Sequence, residues 1–274
     1  MHSFGRFGAS LAAMTFALAG LAAAPAHAGV GDLLVAPTRL ILNGGRGTEV
    51  ILKNVGEDTA TYRISVELRR MMPNGALAEV TEPTAAEKAA QDMIVFAPRK
   101  VVLPPQQPQA VRVAARAPAG LPDGEYRAHI LFRAIPDPKS VTSETPAEGV
   151  GFKLTPIYGV TIPVIVRLGN LHATAGIAGV KLANMDGRKV VEVDLTRSGD
   201  RSVYGELKVL KDGMKEPLAE LRGVAVYREL EKRTVTLPIA PENDAKATGP
   251  VKVQYFETSD SGTKLIAETS AVLR

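Results

Sequence analysis

Few residues in this 274-residue chain have the types and spacing that bond-making chemistry needs. Cysteine is absent, which removes thiol nucleophiles, thiolate metal sites and disulfides together. His2 and His27 fall in a leader segment, so His129 and His172 are the histidines left for a mature protein. His129 lies inside a strand pattern with no second ligand at metal spacing, and two histidines offer few ways to build a Ser–His–acid triad. No serine sits in a nucleophile elbow. Gly44-Gly45-Arg46-Gly47 is glycine-rich but leads into a strand, without the helix N-terminus that holds phosphate, and reads as a hairpin turn. Paired carboxylates for glycoside chemistry need no local spacing, and nothing points to them. The chain reads as a binding protein and not an enzyme, with no catalytic residue, metal or cofactor expected.

Binding chemistry is easier to place. Arg39 sits among apolar neighbours in Val35-Ala36-Pro37-Thr38-Arg39-Leu40-Ile41-Leu42, and Pro37 marks an edge strand because it has no N–H for a ladder. An arginine at such an edge can grip a carboxylate with a two-pronged hydrogen bond, or be a solvated residue paired to a nearby acid. The run from Val150 to Arg167 alternates apolar residues twice: Val150, Phe152 and Leu154, then Tyr158, Val160, Ile162, Val164 and Val166. A strand that long exceeds the usual need of one sheet, and an exposed alternating edge is a liability unless something pairs with it. Strand donation to a partner is one reading; a core strand preceded by a loop is the other.

The elements that must position these residues are strands nearly throughout. Short β-branched runs recur between turn signals such as Pro73-Asn74-Gly75, Pro122-Asp123-Gly124, Asp186-Gly187 and Asp212-Gly213. A helix is expected over Pro83–Asp92 and a second, weaker one near Leu221–Leu230. Tyr126, just after an Asp-Gly turn, suits the corner tyrosine of an immunoglobulin-like sandwich or an ordinary strand tyrosine. Residues 1–28 read as a signal peptide: Arg6, an apolar run from Leu11 to Leu21, then Ala26-His27-Ala28 as the cleavage pattern. That run is too short to span a membrane comfortably, and no later stretch replaces it, so no stable membrane insertion is expected. A break near Arg167–His172 divides the remainder into 29–168 and 169–274. The formal charge of +4 is small and evenly spread, which argues against nucleic acid.

Five pieces, in order, resemble the periplasmic pilus chaperones of the chaperone–usher pathway, the PapD-like family. They are Pro37–Leu42; Thr48–Asn54 with its Gly56 turn; Phe96-Ala97-Pro98 followed by Val102–Pro105 and Gln109–Val113; Leu121–Tyr126 with its strand to Ile135-Pro136; and Ile162–Arg167. The resemblance implies an all-β fold of two immunoglobulin-like β-sandwich domains in a boomerang arrangement, located in the periplasm. It implies a chaperone that caps pilin-like protein subunits by donor-strand complementation and delivers them to an outer-membrane usher for pilus assembly. Arg39 would match the arginine that binds the subunit carboxylate. The donor strand would carry Val150, Phe152, Leu154, Tyr158 and Val160, and Glu125, Arg167 and Asp260 (or Glu257) would form interdomain ion pairs. Two departures mark a divergent branch: no lysine lies between Pro156 and Arg167 where the family's second cation belongs, and Arg127–Phe132 does not reproduce the usual strand. A self-capping dimer would cover the same edge with a second copy. The alternative function is a non-catalytic structural or binding module of a cell-envelope complex with the same fold.

Overall fold

The computed structural model describes residues 33–136, 157–259 and 261–274. The leader falls outside that range. In chain order the first half forms β1 (Leu33–Ala36), β2 (Leu40–Leu42), β3 (Thr48–Asn54), β4 (Ala60–Glu67), β5 (Arg69–Met71), β6 (Leu77–Glu79), helix α1 (Ala85–Met93), β7 (Ile94–Ala97), β8 (Lys100–Leu103), β9 (Pro108–Ala115), β10 (Gly124–Ile135) and β11 (Gly159–Leu168). Two sheets result, ordered β1–β3–β9–β7 and β2–β11–β10–β4–β8, with β5–β6 as a separate hairpin. All pairings are antiparallel except β2 with β11. Period-two alternation turns Val50, Leu52, Val111 and Val113 of one sheet onto Tyr62, Ile64, Ile130, Phe132 and Val164 of the other, which is the geometry of a sandwich core.

The run Val35–Leu42, read from the sequence as an edge strand, is instead parts of two short strands in opposite sheets. Pro37 explains the break, since it cannot donate to a ladder, and the chain crosses the sandwich between Ala36 and Leu40. The expected helix at Pro83–Asp92 is α1, shifted by a residue or two; Thr84 caps it, and the Glu87 side chain returns to the Thr84 N–H at 2.8 Å, a capping box. The Tyr126 hydroxyl donates to the Pro122 carbonyl at 2.7 Å, closing the corner that its sequence position suggests.

The second half forms β12 (Ala173–Met185), β13 (Arg188–Gly199), β14 (Val203–Leu210), β15 (Ala219–Val226), β16 (Lys232–Pro238), β17 (Gly249–Ser259) and β18 (Gly262–Leu273). Its sheets are β12–β13–β16 and β15–β14–β17–β18, packed over Val191, Val193, Leu195, Leu207, Val209, Val253 and Tyr255. The helix expected near Leu221–Leu230 is not formed; β15 occupies most of that stretch. Val224 and Val226 face the core while Ala225 faces away, so period two wins over the weak helical pattern.

A third, small apolar cluster joins the halves: Met71 and Ile165 from the first, Ala225 and Tyr227 from the second, with Tyr204 and Leu230 packed against it. The β5–β6 hairpin also reaches across. The Met71 N–H donates to Glu229 at 2.8 Å, and the Thr234 N–H donates to the Pro73 carbonyl at 2.9 Å. Gly75 at the hairpin tip has φ +87° and lies so close to the Arg233 guanidinium that a Cβ there would collide with it.

Candidate functional site

β11 is central in its sheet for part of its length. Its register with β10 runs from Gly159 to Leu168, but β2 covers Val164, Ile165 and Val166 alone. From Gly159 to Pro163 the other edge has no strand partner among the described residues. Strand alternation fixes what that edge offers. The Tyr158 carbonyl accepts from the Ala134 N–H at 2.9 Å, so the backbone groups of residues 158, 160 and 162 face β10. Those of Gly159, Thr161 and Pro163 therefore face outward, and Pro163 can sit there because no N–H is required of it.

The sequence expects donor-strand side chains at Val150, Phe152, Leu154, Tyr158 and Val160. The first three lie outside the described residues. Tyr158 precedes β11 and is 54% exposed, beside Ile157 at 49%. Val160 does not point to a partner. It packs against the first core with Ile162, Val164 and Val166, because period two turns all four to the same side. On the opposite face the Thr161 hydroxyl donates to Glu67 at 2.8 Å. What β11 presents along this stretch is backbone.

Arg39 follows the break at Pro37 and immediately precedes β2, rather than lying mid-strand. The parallel register pairs Leu40 with Val164, so Arg39 stands level with Pro163, at the end of the open edge. Its guanidinium runs between the two halves. The Cζ lies 4.5 Å from the Tyr204 ring centre and 5.7 Å from that of Tyr227, both on the second sandwich. Nη2 donates to the Ser202 hydroxyl at 3.4 Å, while Nε and Nη1 are buried without a hydrogen-bond partner among the described residues. Burial lowers the pKa of this group, against the pull of Tyr227 and Glu125.

Beside it, Arg167 Nε donates to Glu125 Oε2 at 3.0 Å. The same carboxylate accepts the Ser202 N–H at 3.0 Å and the Ser202 hydroxyl at 2.9 Å, and Arg167 Nη2 donates to the Ser202 carbonyl at 3.2 Å. Asp260 lies outside the described residues. Glu257 pairs with Arg201, not with Arg167. Farther along the seam Arg127 pairs with Glu229 and lies 3.6 Å from the Tyr227 ring centre, with its Nε and Nη1 also buried and unpartnered among the described residues. Ser202, Tyr204, Tyr227 and Glu229 carry no local signal in the sequence: their partners in the first half lie from 35 positions away, for Arg167 and Ser202, to 188, for Arg39 and Tyr227.

No protein-family model and no curated protein matches the chain. Solved structures do. It is similar to the YadV chaperone at 15% identity over 88% of this chain and 100% of that one, with a TM-score of 0.47. It is similar to the E. coli chaperone DraB at 18% identity, over 90% and 98% of the two chains, with a TM-score of 0.47. A third likeness, at 14% identity over 88% and 97% with a TM-score of 0.44, is to the CsuC–CsuE chaperone–tip adhesion subunit pre-assembly complex from archaic chaperone-usher Csu pili of Acinetobacter baumannii.

Proposed function

We propose that this chain is a periplasmic chaperone, without catalytic activity, that pairs its β11 edge with an incomplete pilin-like β-subunit and passes the subunit to an outer-membrane usher. One observation carries the reading: the outer edge of Gly159–Pro163, without a strand partner among the described residues, ends level with Arg39, a half-buried arginine whose Nε and Nη1 have no hydrogen-bond partner among them. An added strand on that edge gains backbone hydrogen bonds from Gly159, Thr161 and Pro163. Its direction follows from charge. A client strand parallel to β11 brings a C-terminal carboxylate to Arg39, whereas an antiparallel one brings a positively charged terminus to a guanidinium. The division of the mature chain at about residue 168, and the leader over residues 1–28, belong to the same proposal.

Co-purification from the periplasm tests it, with bound chains identified by mass spectrometry. Wild type is expected to bring down a small β-rich subunit. Thr161→Pro deletes one outward N–H while leaving the β10 ladder intact, and should cut recovery by about tenfold, the loss of one backbone hydrogen bond that leaves the client's carbonyl unsatisfied. Thr161→Ala, which removes the hydroxyl alone, should recover the subunit normally. Arg39→Ala should reduce recovery as strongly as Thr161→Pro. Undiminished recovery with Thr161→Pro rules out pairing along this edge.

A further inference from the structure

We infer that Tyr204 and Tyr227, on the second sandwich, are positioning residues for the carboxylate site at Arg39. This rests on the strand-pairing reading above and adds the second sandwich to the binding machinery without a contact between it and the client.

A guanidinium has two separate uses. Its flat face stacks on aromatic rings, and its in-plane N–H edge receives anions. The ring centres lie 4.5 and 5.7 Å from the Arg39 Cζ, and the in-plane donors Nε and Nη1, themselves buried, have no hydrogen-bond partner among the described residues. Stacking and carboxylate binding are therefore compatible at the same moment, and the rings do not compete with a client. They fix the plane in which the free donors lie. The third restraint is Ser202, whose hydroxyl accepts from Arg39 Nη2 and donates to Glu125 Oε2. Glu125 is held in turn by Arg167 and the Ser202 N–H. Arg39 is thus fixed on two sides by groups of the second sandwich, while Nε and Nη1 remain without partners among the described residues.

The arrangement also answers the absence of a lysine between Pro156 and Arg167. A lone cation on a flexible stem pays rotamer entropy for each anion it holds. One already clamped between rings and a hydroxyl, in surroundings of low dielectric, gives a stronger bond per donor. Tyr204 is half-buried and pairs across β14 and β15 with Ala225, and Tyr227 follows β15 on the same face. β-sheet alternation at the end of one sheet is what aims both rings at Arg39.

The test uses the exported full-length protein and two probes: a short acetylated peptide of alternating valine and threonine with a free C-terminal carboxylate, and the same peptide amidated. The Arg39 Nε–H resonance, assigned with Arg39→Lys, reports on the site directly. In wild type it should sit upfield from the ring current and move on adding the free acid, not the amide. The free acid should bind about tenfold more tightly than the amide, the worth of one charge-assisted pair. Tyr204→Leu should shrink that preference to about threefold or less, with amide binding unchanged. Tyr204→Phe, which keeps the ring, should restore it. A full tenfold preference in folded Tyr204→Leu overturns the positioning role. Equal loss of both peptides in that variant also overturns it, because it shows a disrupted edge. Equal binding of acid and amide by wild type instead removes the carboxylate reading, and this inference falls with it.

Discussion

Glu125 shows how a buried carboxylate is made tolerable. It collects one guanidinium N–H, one backbone N–H and one hydroxyl, so its charge is met by three donors within 3.0 Å. His129, two strand positions from Arg127 on the same face of β10, has the opposite character. It is fully buried and neither ring nitrogen has a partner among the described residues. Burial, helped by the nearby Arg127 and Arg69 charges, holds its pKa down to about 3. The unfolded chain takes up a proton near pH 6.5 that the folded one refuses. Stability is thus unaffected above that pH and falls as pH drops from about 6.5 towards 3, by at most ~1.4 kcal/mol per pH unit. His129→Leu should raise stability at neutral pH and flatten this acid limb by about one proton, read from urea midpoints across the window. A free-energy slope unchanged by the substitution would contradict the assignment. The sequence shows that His129 stands in a strand pattern with no second ligand at metal spacing. It does not show that the imidazole is unpartnered, because its surroundings come from β4, β11 and the hairpin strand β5.

At the scale of elements, α1 is held at its N-terminus by charge as well as by its cap. Arg70, on the hairpin, donates to Glu87 at 2.9 and 2.7 Å while Glu87 closes the capping box with Thr84. The Arg70 hydrogen bonds come first among the causes that lower the Glu87 pKa from 4.5 to about 2. A depressed carboxyl pKa stabilises the fold above the unfolded value and loses that contribution as pH falls from about 4.5 through 2. Arg70→Met should return the Glu87 titration most of the way to 4.5, seen in the carboxyl carbon shift, with α1 still formed because Thr84 still caps it. Helix α1 was readable because Thr84, Glu87 and the alanines act locally. β15 was not: nothing local to Leu221–Val226 decides between strand and helix, and the outcome depends on partners in β14 ten or more positions away. The break in the first strand was half-visible. Pro37 announced an edge, but the switch to the opposite sheet depends on where β3 and β11 lie.

For the whole molecule, the two sandwiches meet through a seam of modest apolar content and many charges. Met71, Ile165, Ala225 and Tyr227 supply its packing, and Glu229 ties it by receiving both the Met71 N–H and Arg127. Glu229→Ala removes the acid that pairs with Arg127, whose Nη2 keeps the Arg69 carbonyl at 2.9 Å, and leaves the Met71 N–H without its acceptor, which should cost about 2–4 kcal/mol. Because that loss falls on the junction and not on either core, calorimetry should resolve one thermal transition into two. Retention of one sharp transition would show that the cores are coupled elsewhere. The presence of two cores could be expected from the sequence pattern, but the seam could not, since every one of its bonds joins residues far apart in the chain. Arg39 belongs to the open edge through its level with Pro163 and to the seam through Tyr204, Tyr227 and Ser202. Linkage then makes the traffic mutual. Whatever free energy a shift of the second sandwich adds to or takes from anion affinity at Arg39, a bound carboxylate must return to that shift in equal measure.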